Sequence, residues 1–200
     1  YYQAANHALP PADAGEERIV FMGNSITEGW IKSDPSFFAG KPYVNRGISG
    51  QTTPQMLIRF RQDVIDLHPT VVVLLAGTND IAENRGPTTL EAVYENIISM
   101  AELAMVHDIR MVICSVLPAH DYPWRPDLAP AEKIYALNKM LSSYCQLANI
   151  PYVDFHTPMS DQQKGLQKIY GEDGVHPNLV GYRFMEPLVE AGIAKALKRK

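Results

Sequence analysis

The sequence is poor in cysteine, has no long apolar run and carries no excess of positive charge. Its 200 residues include two cysteines, Cys114 and Cys145. They show no metal-ligand spacing and lie in a strand-like and a helical stretch, so we expect two free buried thiols rather than a disulfide. The longest apolar stretch, Val71 to Gly77, is strand-sized and falls well short of the roughly 20 residues of a transmembrane helix. The formal net charge of −4 gives no overall positive field that would attract nucleic acid or an anionic membrane.

The sequence also lacks internal repeats and low-complexity tracts, and nothing in it indicates an oligomeric state. A hydrophobic content of 46% and a charged content of 20% are typical of a globular protein. We predict a single catalytic domain over residues 18–200, preceded by an N-terminal lead over residues 1–17. The lead is polar and contains proline, which predicts a periplasmic or secreted protein whose signal peptide has been removed, although a cytoplasmic location stays open.

Five short β-rich runs alternate with amphipathic helical stretches. The runs are Arg18–Met22, Tyr43–Asn45, Thr70–Ala76, Arg110–Val116 and Tyr152–Phe155. Most of them are continuously apolar, which is typical of parallel strands covered on both faces. This alternation predicts an α/β protein with a five-stranded parallel sheet between two layers of helices. Functional residues are then expected just after each strand, because the carboxyl ends of the strands meet at one edge of the sheet.

A serine follows the first predicted strand, in Gly23-Asn24-Ser25-Ile26-Thr27-Glu28. A serine at a strand-to-helix turn can present its hydroxyl above the sheet as a nucleophile. Ser25 and Glu28 also form the S-x-x-E pattern of a helix capping box, which is the favoured interpretation of this stretch alone. Both roles are compatible, since a helix N-terminus favours negative charge that develops near it.

Possible oxyanion donors follow the second and third predicted strands. The glycines of the loop at residues 46–53 expose backbone N–H groups, which can bind an oxyanion or simply form a turn. Asn79, in Gly77-Thr78-Asn79-Asp80, can donate its side-chain amide to an oxyanion or cap the next short helix. Taken singly, each stretch is explained as well by a structural role.

A histidine and an aspartate precede the last predicted helix, in Asp173-Gly174-Val175-His176-Pro177. In a turn, the Asp173 carboxylate can reach the imidazole Nδ1 of His176 and fix its tautomer. An Asp-Gly turn with a surface histidine is the alternative. Because the four stretches fall in order at one end of one sheet, together they supply a nucleophile, oxyanion donors, a base and its orienting carboxylate.

The four stretches resemble the sequence blocks of the SGNH hydrolases, also called GDSL-type esterases and lipases. GNSIT is similar to the serine block, GISG to the glycine block, GTND to the asparagine block and DGVHP to the Asp–His block. The resemblance implies a flavodoxin-like sheet and a catalytic triad of Ser25, Asp173 and His176. It also implies an oxyanion hole made by the backbone N–H groups of Ser25 and Gly50 and the side chain of Asn79. One departure is Asn24, which stands where the family usually has aspartate and brings no charge.

This reading predicts a serine esterase that acts on a small-molecule ester through an acyl-enzyme and needs no cofactor or metal. Two rivals are a metal-dependent phosphoesterase using acidic and histidine side chains, and a carbohydrate-binding module that has lost catalysis. The metal ligands of the first rival would come from Asp80, His120, Asp121, Asp154 and His156. Acyl transfer to an alcohol or sugar, and a lysophospholipase or thioesterase activity, also stay open.

Substrate contacts are expected from residues that follow strand ends or lie in the long loop from Pro118 to Pro130. These candidates are Trp30, Ile81, Tyr122, Trp124 and Arg125. Aromatic side chains with an arginine suit a sugar or an aromatic ester, but Trp124 could equally cover the core. The mixture favours short acyl groups, acetyl above all, on a carbohydrate or small alcohol.

Overall fold

The computed structural model describes residues 1–13 and 15–198, and Ala14, Arg199 and Lys200 lie outside the described residues. The strands are β1 (Ile19–Gly23), β2 (Tyr43–Gly47), β3 (Val71–Leu75), β4 (Arg110–Cys114) and β5 (Tyr152–Val153). The helices are α1 (Gln3–Ala8), α2 (Ser25–Ser33), α3 (Pro35–Phe38), α4 (Thr53–Asp63), α5 (Thr78–Ile81), α6 (Leu90–Val106), α7 (Ala131–Leu147), α8 (His156–Met159) and α9 (Leu179–Leu197). A 3-10 turn follows α4 at Ile65–Leu67.

The strands form one parallel sheet in the order β2-β1-β3-β4-β5. This arrangement confirms the predicted five-stranded, flavodoxin-like sheet. The chain leaves β1 for β2 on one side and then crosses to β3 on the other side. A crevice therefore opens at the carboxyl ends of these three strands, which is where parallel sheets of this kind bind ligands.

The strands separate two buried hydrophobic clusters, because successive side chains point to opposite faces of the sheet. Val20 and Met22 of β1 join the cluster under α4, α6 and α7. Ile19 and Phe21 of the same strand join the cluster under α2, α3 and α9. Helices thus cover both faces, and the three-layer α/β/α architecture explains why the strand sequences are apolar throughout.

The strand boundaries differ from prediction mainly at the carboxyl ends of β2, β4 and β5, and β4 ends at Cys114, two residues before its predicted end at Val116. β2 continues through Arg46 and Gly47, two residues beyond the predicted end. Its polar residues conceal it from an apolar pattern, since buried Asn45 donates to the Thr27 carbonyl at 2.6 Å and accepts from Gly47 N–H. β5 is shorter than predicted and pairs with β4 through two residues.

The predicted N-terminal lead contains a helix and is bonded to the sheet and to α4. Tyr2 donates its hydroxyl hydrogen to the Gly47 carbonyl. Asn6 donates to the Asp63 carboxylate at 2.7 Å and accepts from the Arg46 guanidinium at 2.8 Å. Residues 2–8 therefore pack against the carboxyl-end region of β2 and against α4.

The two cysteines are unpaired and buried, Cys114 in β4 and Cys145 in α7. This confirms the expectation of free thiols. Burial raises the pKa of the Cys145 thiol to about 12, so this thiol stays protonated and unreactive at neutral pH. None of the helices in the described part of the chain has the length and apolar character needed to cross a bilayer.

Candidate active site

Ser25, His176 and Asp173 form a continuous hydrogen-bonded chain at the carboxyl end of the sheet. Ser25 Oγ lies 2.9 Å from His176 Nε2. His176 Nδ1 lies 2.7 Å from Asp173 Oδ2 on the other side of the ring. With the proton on Nδ1, the imidazole donates to the carboxylate and presents a free lone pair to the serine hydroxyl. The predicted residues are therefore brought together in the geometry of a nucleophile, a base and its orienting carboxylate.

The Asp173 carboxylate is held by the turn that it orients. Its second oxygen, Oδ1, accepts from the backbone N–H groups of Val175 at 2.9 Å and His176 at 2.7 Å. Burial acts to raise the pKa of Asp173, but the hydrogen bonds from His176 and Val175 outweigh it and the pKa is lowered. Asp173 is consequently ionised at neutral pH, as a group that stabilises an imidazolium must be.

Ser25 is the first residue of α2 and does not cap it, which corrects the predicted capping box. The N-cap is Asn24, whose side-chain oxygen accepts from Ile26 N–H at 3.0 Å. Glu28 instead reaches across to the next loop and accepts from Ser49 N–H at 2.8 Å. The serine hydroxyl is thus left free for His176, and the residue that departs from the family pattern takes over the cap.

The Gly50 loop is fixed to the end of β1 and to α2 by two backbone N–H groups. Ile48 N–H donates to the Gly23 carbonyl at 3.1 Å, and Ser49 is bonded to Glu28 as described. Gly50 itself has φ of 75°, a left-handed conformation that favours glycine, and a Cβ there would meet no atom within 4 Å. The glycine is therefore required by the turn rather than by close packing.

Asn79 lies within α5 and not at its cap, which is Gly77. Its amide nitrogen donates to the Gln51 carbonyl at 2.9 Å, so it is tied to the Gly50 loop. Its oxygen accepts from the side-chain amide of Asn84 at 2.8 Å. An amide nitrogen has two hydrogens, so one remains for a ligand. The structure thus joins Asn79 to the Gly50 loop, and the oxyanion hole that the resemblance implies stays a prediction.

Two residues that sequence reasoning missed support this arrangement. The buried Arg59 guanidinium donates to the carbonyls of Gly23 and Arg46, at 3.0 and 2.9 Å, and to the Gln51 side chain at 2.6 Å. It therefore joins the ends of β1 and β2 to the Gly50 loop. Asn84 holds Asn79, as described above. Neither had a sequence signal, since Arg59 reads as an ordinary helix residue and Asn84 as a turn residue.

Three of the predicted substrate contacts are wrong, because their side chains are buried in the core. Trp30 is 2% exposed and stacks between Phe37 and Tyr182, with ring centroids 5.3 and 5.5 Å away. Ile81 is 3% exposed and Tyr122 is fully buried, and both belong to the cluster under α6 and α7. These side chains shape the scaffold and are not free to contact a ligand in the open crevice.

Trp124 lies beside the proposed base. Its side chain is 41% exposed, and its ring centroid is 6.1 Å from that of His176. The ring packs on Tyr122, at 5.2 Å, and its indole N–H donates to the Asn84 side chain at 2.9 Å. Arg125 forms an exposed ion pair with Glu83 at 2.8 Å, which fastens the long loop to the end of α5.

A recess of about 250 Å³ lies next to Asp173. Pro123 and Leu166 contribute apolar surface to it. Charged and polar side chains also line it, namely His120, Asp121, Asp161, Lys168, Glu172 and Asp173. The long loop thus supplies part of a concave surface that includes Asp173.

The metal ligands imagined for a phosphoesterase are not gathered into one site. Asp80 accepts hydrogen bonds from Thr53, while His120 Nδ1 lies 3.1 Å from the Gln163 carbonyl. Within residues 1–13 and 15–198, no group of three or more histidine, cysteine or acidic side chains is placed to hold a metal ion.

Comparisons with known proteins identify the family to which this chain belongs. Residues 21–184 match the model of the GDSL-like lipase/acylhydrolase family. The fold is similar to that of a GDSL-like lipase from Bacteroides thetaiotaomicron VPI-5482, with a TM-score of 0.95 and 46% identity over 98% of this chain and 96% of that chain. Esterase TesA of Pseudomonas aeruginosa is 25% identical over 170 residues, which are 82% of this chain and 78% of that protein.

A further relative is the uncharacterised lipoprotein YqeF of Bacillus subtilis (strain 168), which is 28% identical over 121 residues. That match covers 52% of this chain and half the length of the lipoprotein. The family model, by contrast, extends from β1 into α9 and includes the Ser25, Gly50, Asn79 and His176 stretches. The chain therefore belongs to the GDSL-like lipase/acylhydrolase family and is an ester-hydrolysing enzyme.

Proposed function

We propose that this enzyme is a serine esterase that removes short acyl groups, acetyl above all, from a carbohydrate or small alcohol. The observation that carries the catalytic part is the hydrogen-bonded chain from Ser25 Oγ through the His176 ring to Asp173. The observation that favours a carbohydrate is the recess beside Asp173, which combines apolar surface with hydrogen-bonding side chains. A sugar offers the same combination, since its ring has an apolar face and its hydroxyls point outward.

In the proposed mechanism, His176 takes the hydroxyl proton of Ser25 as Oγ attacks the ester carbonyl carbon. Asp173 stabilises the imidazolium, and the oxyanion is held by the backbone N–H groups of Ser25 and Gly50 and by the Asn79 amide. The carbon–oxygen bond to the alcohol then breaks, and His176 returns the proton to the leaving oxygen. Water, activated by His176, hydrolyses the acyl-enzyme and restores Ser25.

Ser25→Ala tests the nucleophile. We expect the variant to fold and to lose hydrolysis of p-nitrophenyl acetate, and a serine-directed phosphonate should label the parent but not the variant. The matched control is Ser142→Ala, because Ser142 is exposed on α7 away from the site. Near-parental turnover in Ser25→Ala would show that another group is the nucleophile.

Acetyl and octanoyl esters of one alcohol test the acyl-chain preference. We expect kcat/KM to be at least about tenfold higher for acetyl, a difference of about 1.4 kcal/mol in transition-state binding. A tenfold preference for octanoyl would point instead to a lysophospholipase or thioesterase type of acylhydrolase. Analysis of products with added alcohols or sugars then distinguishes hydrolysis from acyl transfer.

The carbohydrate part is tested by removing side chains from the recess. Asp121→Ala and Lys168→Ala should lower kcat/KM on acetylated xylo-oligosaccharides far more than on p-nitrophenyl acetate, which is too small to need these contacts. If each variant instead lowers kcat/KM by the same factor on both substrates, the recess is not part of the substrate site. A small alcohol is then the better candidate.

We also propose a location outside the cytoplasm. The similarity to the lipoprotein YqeF supports this. Fractionation of the native cells, with detection of the enzyme in cytoplasmic and extracytoplasmic fractions, tests it. Recovery in the cytoplasm alone would contradict the proposal.

A further inference from the structure

A relay of three side chains leads from the surface of the crevice to Asn79. Trp124 Nε1 donates to Asn84 Oδ1 at 2.9 Å, and Asn84 Nδ2 donates to Asn79 Oδ1 at 2.8 Å. Asn79 Nδ2 then donates to the Gln51 carbonyl at 2.9 Å. Every member thus gives a hydrogen to the next member along the relay.

The chemistry of the two ends fixes the direction of this relay. An indole N–H can only donate, so the Asn84 side chain must turn its oxygen to Trp124 and its NH₂ group to Asn79. A backbone carbonyl can only accept, so Asn79 must turn its NH₂ group to Gln51. The flipped orientation of either amide would oppose two donors or two acceptors. The relay therefore selects one orientation of the Asn79 side chain. In this orientation the NH₂ group, which has one hydrogen left for a ligand, faces the Gly50 loop and the oxygen faces Asn84.

We propose that Asn84 is a positioning residue of the oxyanion hole, which acts by holding the Asn79 amide in the orientation that donates to the oxyanion. The inference rests on the proposed function, in which Asn79 is the side-chain donor. Orientation matters because such donors act by being aligned before charge develops, so a freely rotating amide loses much of its effect. The hydrogen bond that Asn79 Oδ1 accepts also polarises the amide and strengthens its N–H as a donor.

Trp124 connects the positioning of Asn79 to the loop at residues 118–130. Its ring lies beside His176 while its N–H bonds to Asn84. A ligand that packs on Trp124 therefore contacts a side chain that is linked both to the base region and to the oxyanion donor. Asn84 itself is half-buried and its backbone N–H also bonds to the Asn79 carbonyl at 3.0 Å. Because that bond is independent of the side chain, the turn is retained when only the amide is changed.

Asn84→Asp and Asn84→Ala separate the donor from the shape of the side chain. At about pH 7.5 an aspartate is ionised and still accepts from Trp124, but it has no hydrogen to give to Asn79. We expect both variants to lower kcat by about tenfold, less than the roughly 10²–10³ for losing a donor outright. We expect little change in KM, since the oxyanion contact strengthens in the transition state. Trp124→Phe, which keeps an aromatic ring but removes the indole N–H, leaves the Asn84–Asn79 bond in place and should lose less kcat than either Asn84 variant.

The decisive measurement is a double-mutant cycle with Asn79→Ala. If Asn84 acts through Asn79, Asn84→Ala should cause no further loss of kcat once the Asn79 amide is gone. An equal loss in both backgrounds, or parental kcat in Asn84→Asp, would overturn the proposal and leave Asn84 a loop-bonding residue. If Asn79→Ala alone keeps parental kcat, it is instead the proposed oxyanion role of Asn79 that fails.

Discussion

The buried carboxyl group of Asp80 should make the stability of the protein depend on pH in an unusual direction. Asp80 is 3% exposed and accepts hydrogen bonds from the backbone N–H and hydroxyl of Thr53. Burial raises its pKa from 3.8 to about 6, although the bonds from Thr53 oppose the increase. Between these two pH values, the folded protein binds a proton that the unfolded chain has lost. The contribution of Asp80 to stability therefore falls as the pH rises through this window.

The size of the effect follows from the raised pKa. An increase of about two in pKa corresponds to a total change of about 3 kcal/mol in the free energy of unfolding. About 2 kcal/mol of this stabilisation is lost between about pH 4.5 and about pH 7.5. Asp80→Asn removes the titrating group and keeps one acceptor oxygen for Thr53. We expect the variant to lack this part of the pH dependence. Its stability relative to the parent should thus be about 2 kcal/mol more favourable at the higher pH than at the lower.

Urea unfolding of both proteins at the two pH values measures this double difference, in which all other titrating groups cancel. The control is Asp66→Asn, which also removes one negative charge, but from an exposed position just after α4. It should leave the pH dependence of the parent unchanged. The same pH dependence in the parent and in Asp80→Asn would refute the reasoning, because Asp80 would then titrate alike in the folded and unfolded states.

Three further predictions follow from the site and its scaffold. Asp173→Asn should depress kcat strongly, by up to about 10⁴, because an amide can stabilise the wrong tautomer of His176 and cannot stabilise its charge; undiminished activity would contradict the proposed Asp–His pair. Asn79→Ala should lower kcat by about 10²–10³ with little change in KM, whereas a large rise in KM at parental kcat would make Asn79 a ground-state binding residue. Gly47→Ala should destabilise the fold by about 1–3 kcal/mol or more in urea unfolding, because a Cβ there would lie 2.1 Å from Glu28 N; parental stability would show that α2 can move away from β2.

Much of the architecture could be predicted because it depends on local patterns. Apolar runs such as Val71–Leu75 identify the strands, and their alternation with amphipathic stretches is sufficient for a parallel three-layer fold. β2 was the exception, since Asn45 and Arg46 are buried by hydrogen bonding rather than by hydrophobicity. The four blocks that contain Ser25, Gly50, Asn79 and His176 lie at the expected positions in the fold, because each follows a strand or precedes a helix.

The environment of individual side chains could not be predicted in the same way. Trp30 was expected in the crevice because it follows a strand end, yet α2 turns it inward onto Phe37 and Tyr182. Glu28 matched a local capping pattern, but the backbone N–H group that it accepts from is that of Ser49, 21 residues away. Contacts of this kind depend on how elements pack, and neither spacing nor composition encodes them.

The hydrogen bond between Ser25 and His176 joins residues 151 positions apart in the chain. Ser25 belongs to the first strand–helix unit, whereas His176 directly precedes the last helix, which packs across β3, β4 and β5. A nascent chain on the ribosome consequently has no Ser25–His176 pair until the residues through α9 have been made and α9 has docked. In refolding experiments, recovery of esterase activity should then report the joining of chain segments 151 residues apart, and it should lag behind signals from local helix formation.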